Sequence, residues 1–255
     1  MRIKVVMNNF TPREKIDESR YIAKCCEKHG WFASMLRNEG LIGGGIVLSA
    51  ECPVCREESR IRKIFGESQI PRRFAERNFE NYVVAAANQK LALESCQSFA
   101  DNFTNSLADG RGLLLIGTCG TGKTHLACAT LSQVIRAGHS GFFTSVDKLL
   151  CKIKSTWAGT GTTQEEMIRR FTAVDLLVLD EIGAYRSASS RDRDLLFEVI
   201  NNRYESLRPT IFVSNLNLTG ADSIEEYLEE RSFDRVCESS QIVVFNWPSW
   251  RRKSL

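Results

Sequence analysis

The sequence predicts an α/β protein whose parallel sheet is flanked by helices, with a small cysteine-bearing module in front. Three observations carry this expectation. Short apolar runs alternate with helical patterns beyond about residue 70, the order that demands parallel pairing. A glycine-rich loop follows the first of those runs and opens a helix. Four of the nine cysteines, Cys25, Cys26, Cys52 and Cys55, fall before residue 56.

The elements follow in chain order. Residues 1–65 lack long apolar periodic runs and carry charged stretches, Gly43-Gly44-Gly45 and the paired cysteines. Such a segment builds little core of its own, so a small, helical, metal-supported module is expected. Residues 66–255 are the second domain, with 66–84 as its entry linker. Strands are expected at Leu113–Ile116, Gly141–Thr144, Leu176–Leu179, Ile211–Ser214 and Ile242–Phe245. Each is short, apolar and followed by polar or glycine-rich sequence. Helices are expected over Lys123–Arg136, Val146–Trp157 and Arg191–Leu207, with Asp147 suited to a helix start.

Composition narrows the class. The chain has 255 residues, a net charge of +3, 43% hydrophobic and 25% charged residues, which describes an ordinary globular protein. No stretch approaches the roughly 18 apolar residues of a membrane span. The start, MRIKVVMNNFTPREK, has no apolar core of signal-peptide length. An odd cysteine count without such a leader argues for a reducing compartment, so a cytoplasmic protein with no membrane partner is expected. Residues 1–80 hold 15 basic and 11 acidic side chains, and the remainder is nearly neutral. That excess is too modest to announce nucleic acid.

Gly117-Thr118-Cys119-Gly120-Thr121-Gly122-Lys123-Thr124 fits the phosphate-loop pattern at every fixed position. Its amides and the following helix N-terminus suit the phosphates of ATP. Lys123 is placed for the β- and γ-phosphates and Thr124 for Mg²⁺. Leu176–Gly183 is a buried strand running into Asp180 and Glu181. Asp180 suits the Mg²⁺ shell, and Glu181 suits the base that polarises an attacking water. Asn215 follows another buried strand, where it is either placed for the γ-phosphate or that water, or is a simple turn residue. One strand lies between the two nucleotide motifs, the arrangement of ATPases with a catalytic Glu.

Cys26-x₂-His29 and Cys52-Pro53-Val54-Cys55 form two tight pairs with the spacing of a structural zinc site. Cys25 is the alternative to Cys26. In small zinc peptides the metal contributes about 10–16 kcal/mol, enough to fold a segment with little core.

From Ile70 to Arg251 the chain resembles the AAA+ helicase loaders of the DnaC type, with the IstB transposition helpers as close relatives. The resemblance rests on IPRRFAERNFENY (Ile70–Tyr82), the phosphate loop, LLVLDEIG, the Asn215 strand, EERSFDRV (Glu229–Val236) and FNWPSWR (Phe245–Arg251). It implies an ATPase that places a ring helicase on single-stranded DNA and leaves on hydrolysis. Arg235 matches the arginine finger that acts on a neighbouring subunit, and so implies self-association. Arg231 lies one turn earlier, and Arg251 matches the second sensor arginine. The linker resembles the segment beside the adenine, where Phe79 and Tyr82 are either base contacts or core.

The resemblance to the loaders further implies that single-stranded DNA is held at the insertion Lys154–Phe171. There Trp157 is either a stacking platform or a buried anchor, and Lys152, Lys154, Arg169 and Arg170 suit phosphates. Tyr185-Arg186 is a second candidate. The cysteine pairs make the first module resemble the zinc-bearing DnaI loaders, in which the N-terminal region grips the replicative helicase. The alternatives are an IstB-like helper with a transposase partner and duplex DNA, and a nucleotide-switched adaptor with negligible turnover.

Overall fold

The computed structural model describes residues 21–26, 30–37, 45–47, 52–53, 55–56, 68–158, 161–184 and 189–252. The chain divides into two compact units, Met1–Lys63 and Ile64–Leu255.

In the first unit, β1 (Tyr21–Cys26), β2 (Gly30–Arg37) and β3 (Gly45–Val47) form an antiparallel sheet in that order. The helical character expected for this module is therefore corrected: its regular elements among the described residues are mainly strands. The pattern of β2, GWFASMLR, does not decide this, since its large apolar residues at positions 31, 32, 35 and 36 have the spacing of a helix face. Antiparallel pairing with β1 and β3 decides it, by satisfying the backbone groups of the segment across the sheet.

The second unit contains α1 (Ala87–Asp101), α2 (Phe103–Asp109), β4 (Gly112–Gly117), α3 (Lys123–Arg136), β5 (Gly141–Ser145), α4 (Val146–Ser155), α5 (Gln164–Ala173), β6 (Leu176–Ile182), α6 (Ser190–Glu205), β7 (Thr210–Ser214), α7 (Ile224–Ser239) and β8 (Ser240–Phe245). The five strands pair in the order β5-β6-β7-β4-β8, and every pair is parallel. β4 and β6 are buried almost throughout, which their runs LLLI and LLVL require. Alternate residues Leu114, Ile116, Leu177, Leu179 and Phe212 pack on one face against α4, α5, α6 and α7. α3 packs against the sheet and against α1.

Helix starts follow local chemistry. Ser145 rather than Asp147 caps α4, accepting from the Lys148 amide, and Asp147 sits in the first turn. Thr163 with Glu166, and Ser189 with Asp192, form capping boxes on α5 and α6. A turn of 3₁₀ helix, Thr156–Ala158, takes the place of the last turn expected for α4.

The floor of the sheet is tied by Arg203. Its guanidinium is 1% exposed. It donates to Phe171 O and Val174 O at 2.9 Å each, Pro209 O at 2.5 Å and Thr210 Oγ1 at 2.9 Å. It thereby gives partners to the carbonyls that end α5, which have none within the helix, and joins them to the start of β7.

Candidate nucleotide site

The carboxyl ends of the parallel strands gather the expected chemistry, the position at which open α/β sheets bind ligands. Gly117 ends β4, and the loop that follows delivers Lys123 as the first residue of α3. A cavity of about 310 Å³ lies over it. Its walls include Lys123, Thr124, Asp180, Glu181, Asn215 and Arg251. These residues come from four separate regions of the chain. The larger cavity, about 470 Å³, lies among α4, α6 and α7 and shares only Glu181 with the first. The phosphate loop makes the smaller cavity the nucleotide candidate.

Lys123 is buried and bonded to its own loop, donating to Gly117 O and Thr118 O at 2.7 Å each. Burial pushes its ammonium down to about 8, with Arg251 adding to the shift and Cys119 and Asp180 opposing it. Thr124 Oγ1 donates to Asp180 Oδ2 at 2.9 Å. Burial raises the Asp180 carboxyl, against the bonds from Glu181 N–H and Thr124. A hydroxyl and a carboxylate oxygen held together are hard donors of the kind Mg²⁺ takes, so the pair fits that ion.

Asp180 and Glu181 stand on a bulge. Pairing advances from Leu179↔Phe212 to Ile182↔Ser214, three residues on β6 against two on β7. Glu181 has φ 61° and donates its amide to Asp180 Oδ1 at 2.7 Å. The bulge leaves the Asp180 side chain buried and the Glu181 side chain exposed. A non-glycine residue at positive φ costs about 1–3 kcal/mol and concentrates at functional sites.

Several lining residues were not singled out from the sequence. Phe74, Arg77, His125, Trp247 and Trp250 all border the cavity. Phe79, the expected base contact, does not line it, whereas Phe74 and Tyr82 do. Asn78 and Asn81 bond to each other's amides and close a tight turn around Phe79, so a three-residue spacing does not set one common face there. His125 Nε2 lies 2.9 Å from Asn78 O, and its ring meets Tyr82 edge-on at 5.2 Å. The signal that could have found His125 was its place directly after the loop.

Arg235 lies on α7 and is not among the residues lining this cavity. Its guanidinium sits over Phe197 and Tyr204 of α6, and it donates to Arg231 O at 2.9 Å. Trp157 is 53% exposed, which rules out the buried-anchor alternative. Its indole N–H donates to Gln164 Oε1 at 3.0 Å, and Arg191 stands 5.8 Å over its ring. Lys154 is ion-paired with Asp192. Burial would raise that carboxyl, but the bonds from Lys154 and Ser189 outweigh it and hold the group below its ordinary value. Tyr185 and Arg186 lie outside the described residues.

In the first unit the sulfurs of Cys26, Cys52 and Cys55 lie within 4.8 Å of one another, with Cys26 and Cys55 3.6 Å apart. Two thiolates on one tetrahedral zinc, with bonds of about 2.3 Å, stand about 3.8 Å apart, so the three sulfurs fit that ion. The hydrogen bond to Cys26, followed by burial, raises the Cys55 thiol to about 11. A divalent cation would reverse that shift. His29, the expected fourth ligand, lies outside the described residues.

A parallel five-stranded sheet with a phosphate loop at β4 and an Asp-Glu strand two places away defines an ATP-binding protein of the AAA+ class. The chain belongs to the family of IstB-like ATP binding proteins, whose model matches residues 45–255. It is similar to the replicative helicase loader DnaC of Escherichia coli (strain K12), 29% identical over 210 residues, which span 82% of this chain and 83% of that protein. The DnaC of Buchnera aphidicola subsp. Baizongia pistaciae is 31% identical over 209 residues, 81% of this chain and 82% of the relative. A crystal structure of the DnaC helicase loader superposes with a TM-score of 0.62 at 26% identity, over 69% of this chain and 99% of that one. Among the described residues no helix is long and apolar enough to cross a membrane.

Proposed function

We propose that the protein is an ATP-dependent DNA replication factor that loads a replicative ring helicase onto single-stranded DNA. The observation that carries this reading is the Thr124–Asp180 pair, set in one cavity with Lys123, Glu181, Asn215 and Arg251. Helicase loaders among the relatives support the choice of partner.

In this reading, Lys123 gives up its loop carbonyls and meets the β- and γ-phosphates of ATP, and the amides from Gly117 to Thr124 follow the phosphate chain. Thr124 Oγ1 and Asp180 hold Mg²⁺, which when bound neutralises phosphate charge. The Glu181 carboxylate takes the proton of the attacking water, Asn215 orients that water, and Arg251 steadies the γ-phosphate. Arg235 acts on the nucleotide of a neighbouring copy, so self-association follows ATP binding. Leaving α6 to do so breaks its contacts with Phe197 and Tyr204. Turnover is weak and stimulated by DNA.

Residues 66–255, with their linker 66–84, are the ATPase. Trp157 stacks on a base, and Lys154 meets a phosphate by exchanging its ion pair with Asp192 for it. Residues 1–65 grip the helicase, with zinc on Cys26, His29, Cys52 and Cys55. Phosphate release by Glu181→Gln tests the hydrolytic core: a loss of at least about 100-fold is expected for a general base, and unchanged turnover would sink the assignment. Capture of a replicative helicase supports the loader reading. Capture of a transposase instead would move the protein to the transposition-helper branch of its family.

A further inference from the structure

The phosphate loop is held by two segments that lie far apart in sequence. Thr121 O accepts from Trp247 Nε1 at 2.9 Å and from the Tyr82 hydroxyl at 3.3 Å. Gly120 O accepts from the Trp250 amide at 2.8 Å. Tyr82 belongs to the linker before α1, and the two tryptophans follow β8.

These bonds fix more than carbonyls. In a trans peptide the C=O and the next N–H point in opposite directions, and the described chain has no cis bond. Holding Gly120 O toward Trp250 turns the Thr121 N–H to the opposite side. Holding Thr121 O toward Trp247 and Tyr82 does the same for the Gly122 N–H. These two amides directly precede Lys123. Gly117 O and Thr118 O are meanwhile taken by Lys123 itself. The loop is thus clamped at both ends in a shape that presents donors in its second half.

The side chains are built for the clamp. Trp247 is buried, with its ring 4.8 Å from Phe245. Burial pushes the Tyr82 hydroxyl up to about 12, so it stays a proton donor. A Cβ on Gly122 would come within 2.7 Å of the Tyr82 ring. Gly120 is not a fixed position of the phosphate-loop pattern. Its φ of 78° itself favours glycine, and a Cβ there would also stand 3.1 Å from Ser249 Cβ on the C-terminal turn.

We propose that Trp247 and Tyr82 are positioning residues for nucleotide binding: by holding Thr121 O, they orient the Gly122 amide toward the phosphates, with Trp250 doing the same for Thr121. The proposal rests on the ATP-binding reading of the cavity. It makes phosphate affinity depend on the turn that also carries Arg251.

The test uses the full chain and calorimetric titration with ATP and with inorganic tripolyphosphate, which has no base. Trp247→Phe removes the indole donor, and Tyr82→Phe removes one hydroxyl while keeping the ring. Each is expected to weaken both ligands by the same factor, about 3- to 10-fold, as the loss of one hydrogen bond dictates. Unchanged affinity for both ligands, with or without a lower melting temperature, would overturn the proposal and leave the clamp a folding contact. Weakening of ATP alone would also overturn it, since the residues would then touch the base. Should Trp247→Phe fail to fold, Tyr82→Phe decides alone. A wild-type chain that binds neither ligand refutes the nucleotide site itself, a result distinct from either variant outcome.

Discussion

ATP affinity is expected to fall as pH rises through about 8, because Lys123 then loses its charge. The perturbation is pH alone, with no mutation. Burial lowers this ammonium from 10.5 to about 8 in the nucleotide-free protein. The phosphates need its charged form, and their own charge restores its pKa once they are bound. The group is therefore depressed in the free state and raised in the complex, so binding takes up a proton above pH 8 and none well below it. The charged fraction in the free protein is about 0.9 at pH 7 and about 0.1 at pH 9, which corresponds to a roughly tenfold weaker dissociation constant across those two units. Competing for the same ammonium are Gly117 O and Thr118 O, both at 2.7 Å. Isothermal titration with ADP or ATP in buffers of different ionisation enthalpy reads both the affinity and the proton count. Lys123→Arg stays charged throughout and should flatten the profile. A wild-type affinity constant between pH 7 and pH 9, with no proton uptake, would refute the reasoning.

Three further outcomes are expected. Arg203→Met leaves the carbonyls of Phe171, Val174 and Pro209 without their donor, which should destabilise the second unit by about 3–5 kcal/mol; a melting temperature within two degrees of wild type would contradict it. Purified protein should hold about one zinc per chain, and a chelator should lower helicase capture while sparing ATP binding; metal content near zero rejects the site. Trp157→Ala should weaken single-stranded DNA binding by about 5- to 150-fold with phosphate release in the absence of DNA unaltered, and equal affinity would remove that residue from the interface.

Much of the second unit was legible before any fold. β4 and β6 are runs of consecutive Leu, Ile and Val ending in glycine or acid, and such runs, alternating with helical patterns, are the mark of strands buried on both faces of a parallel sheet. The phosphate loop is legible because its chemistry depends on backbone, and glycine spacing records backbone demands directly. The helix starts are also local, and Asp147 does stand in the first turn of α4, with Ser145 as its cap. Which of two neighbouring acceptors folds over an amide depends on where the strand ends.

The first module was misjudged for a related reason. Its cysteine spacing is a local fact, and three of those sulfurs do converge. Its strands are not a local fact, because β1 and β2 acquire their state by pairing. Of the two roles open to Phe79, the base contact is not the one the cavity shows, since a spacing of three implies one face only inside a helix and mutual Asn78–Asn81 bonds make a turn there.

The sequence by itself determined the class of chemistry: a loop for phosphates, an Asp-Glu strand tip and paired soft ligands, each encoded within a few consecutive residues. Only the tertiary structure decided what surrounds them. It placed Arg251 and Asn215 in one cavity with Lys123, kept Arg235 against α6, and neutralised Lys154 with Asp192. It also set Trp247 on Thr121, 126 positions away. Contacts of that span arise from strand order, with β8 laid beside β4, and strand order is settled by packing across the whole sheet rather than by any local run of residues.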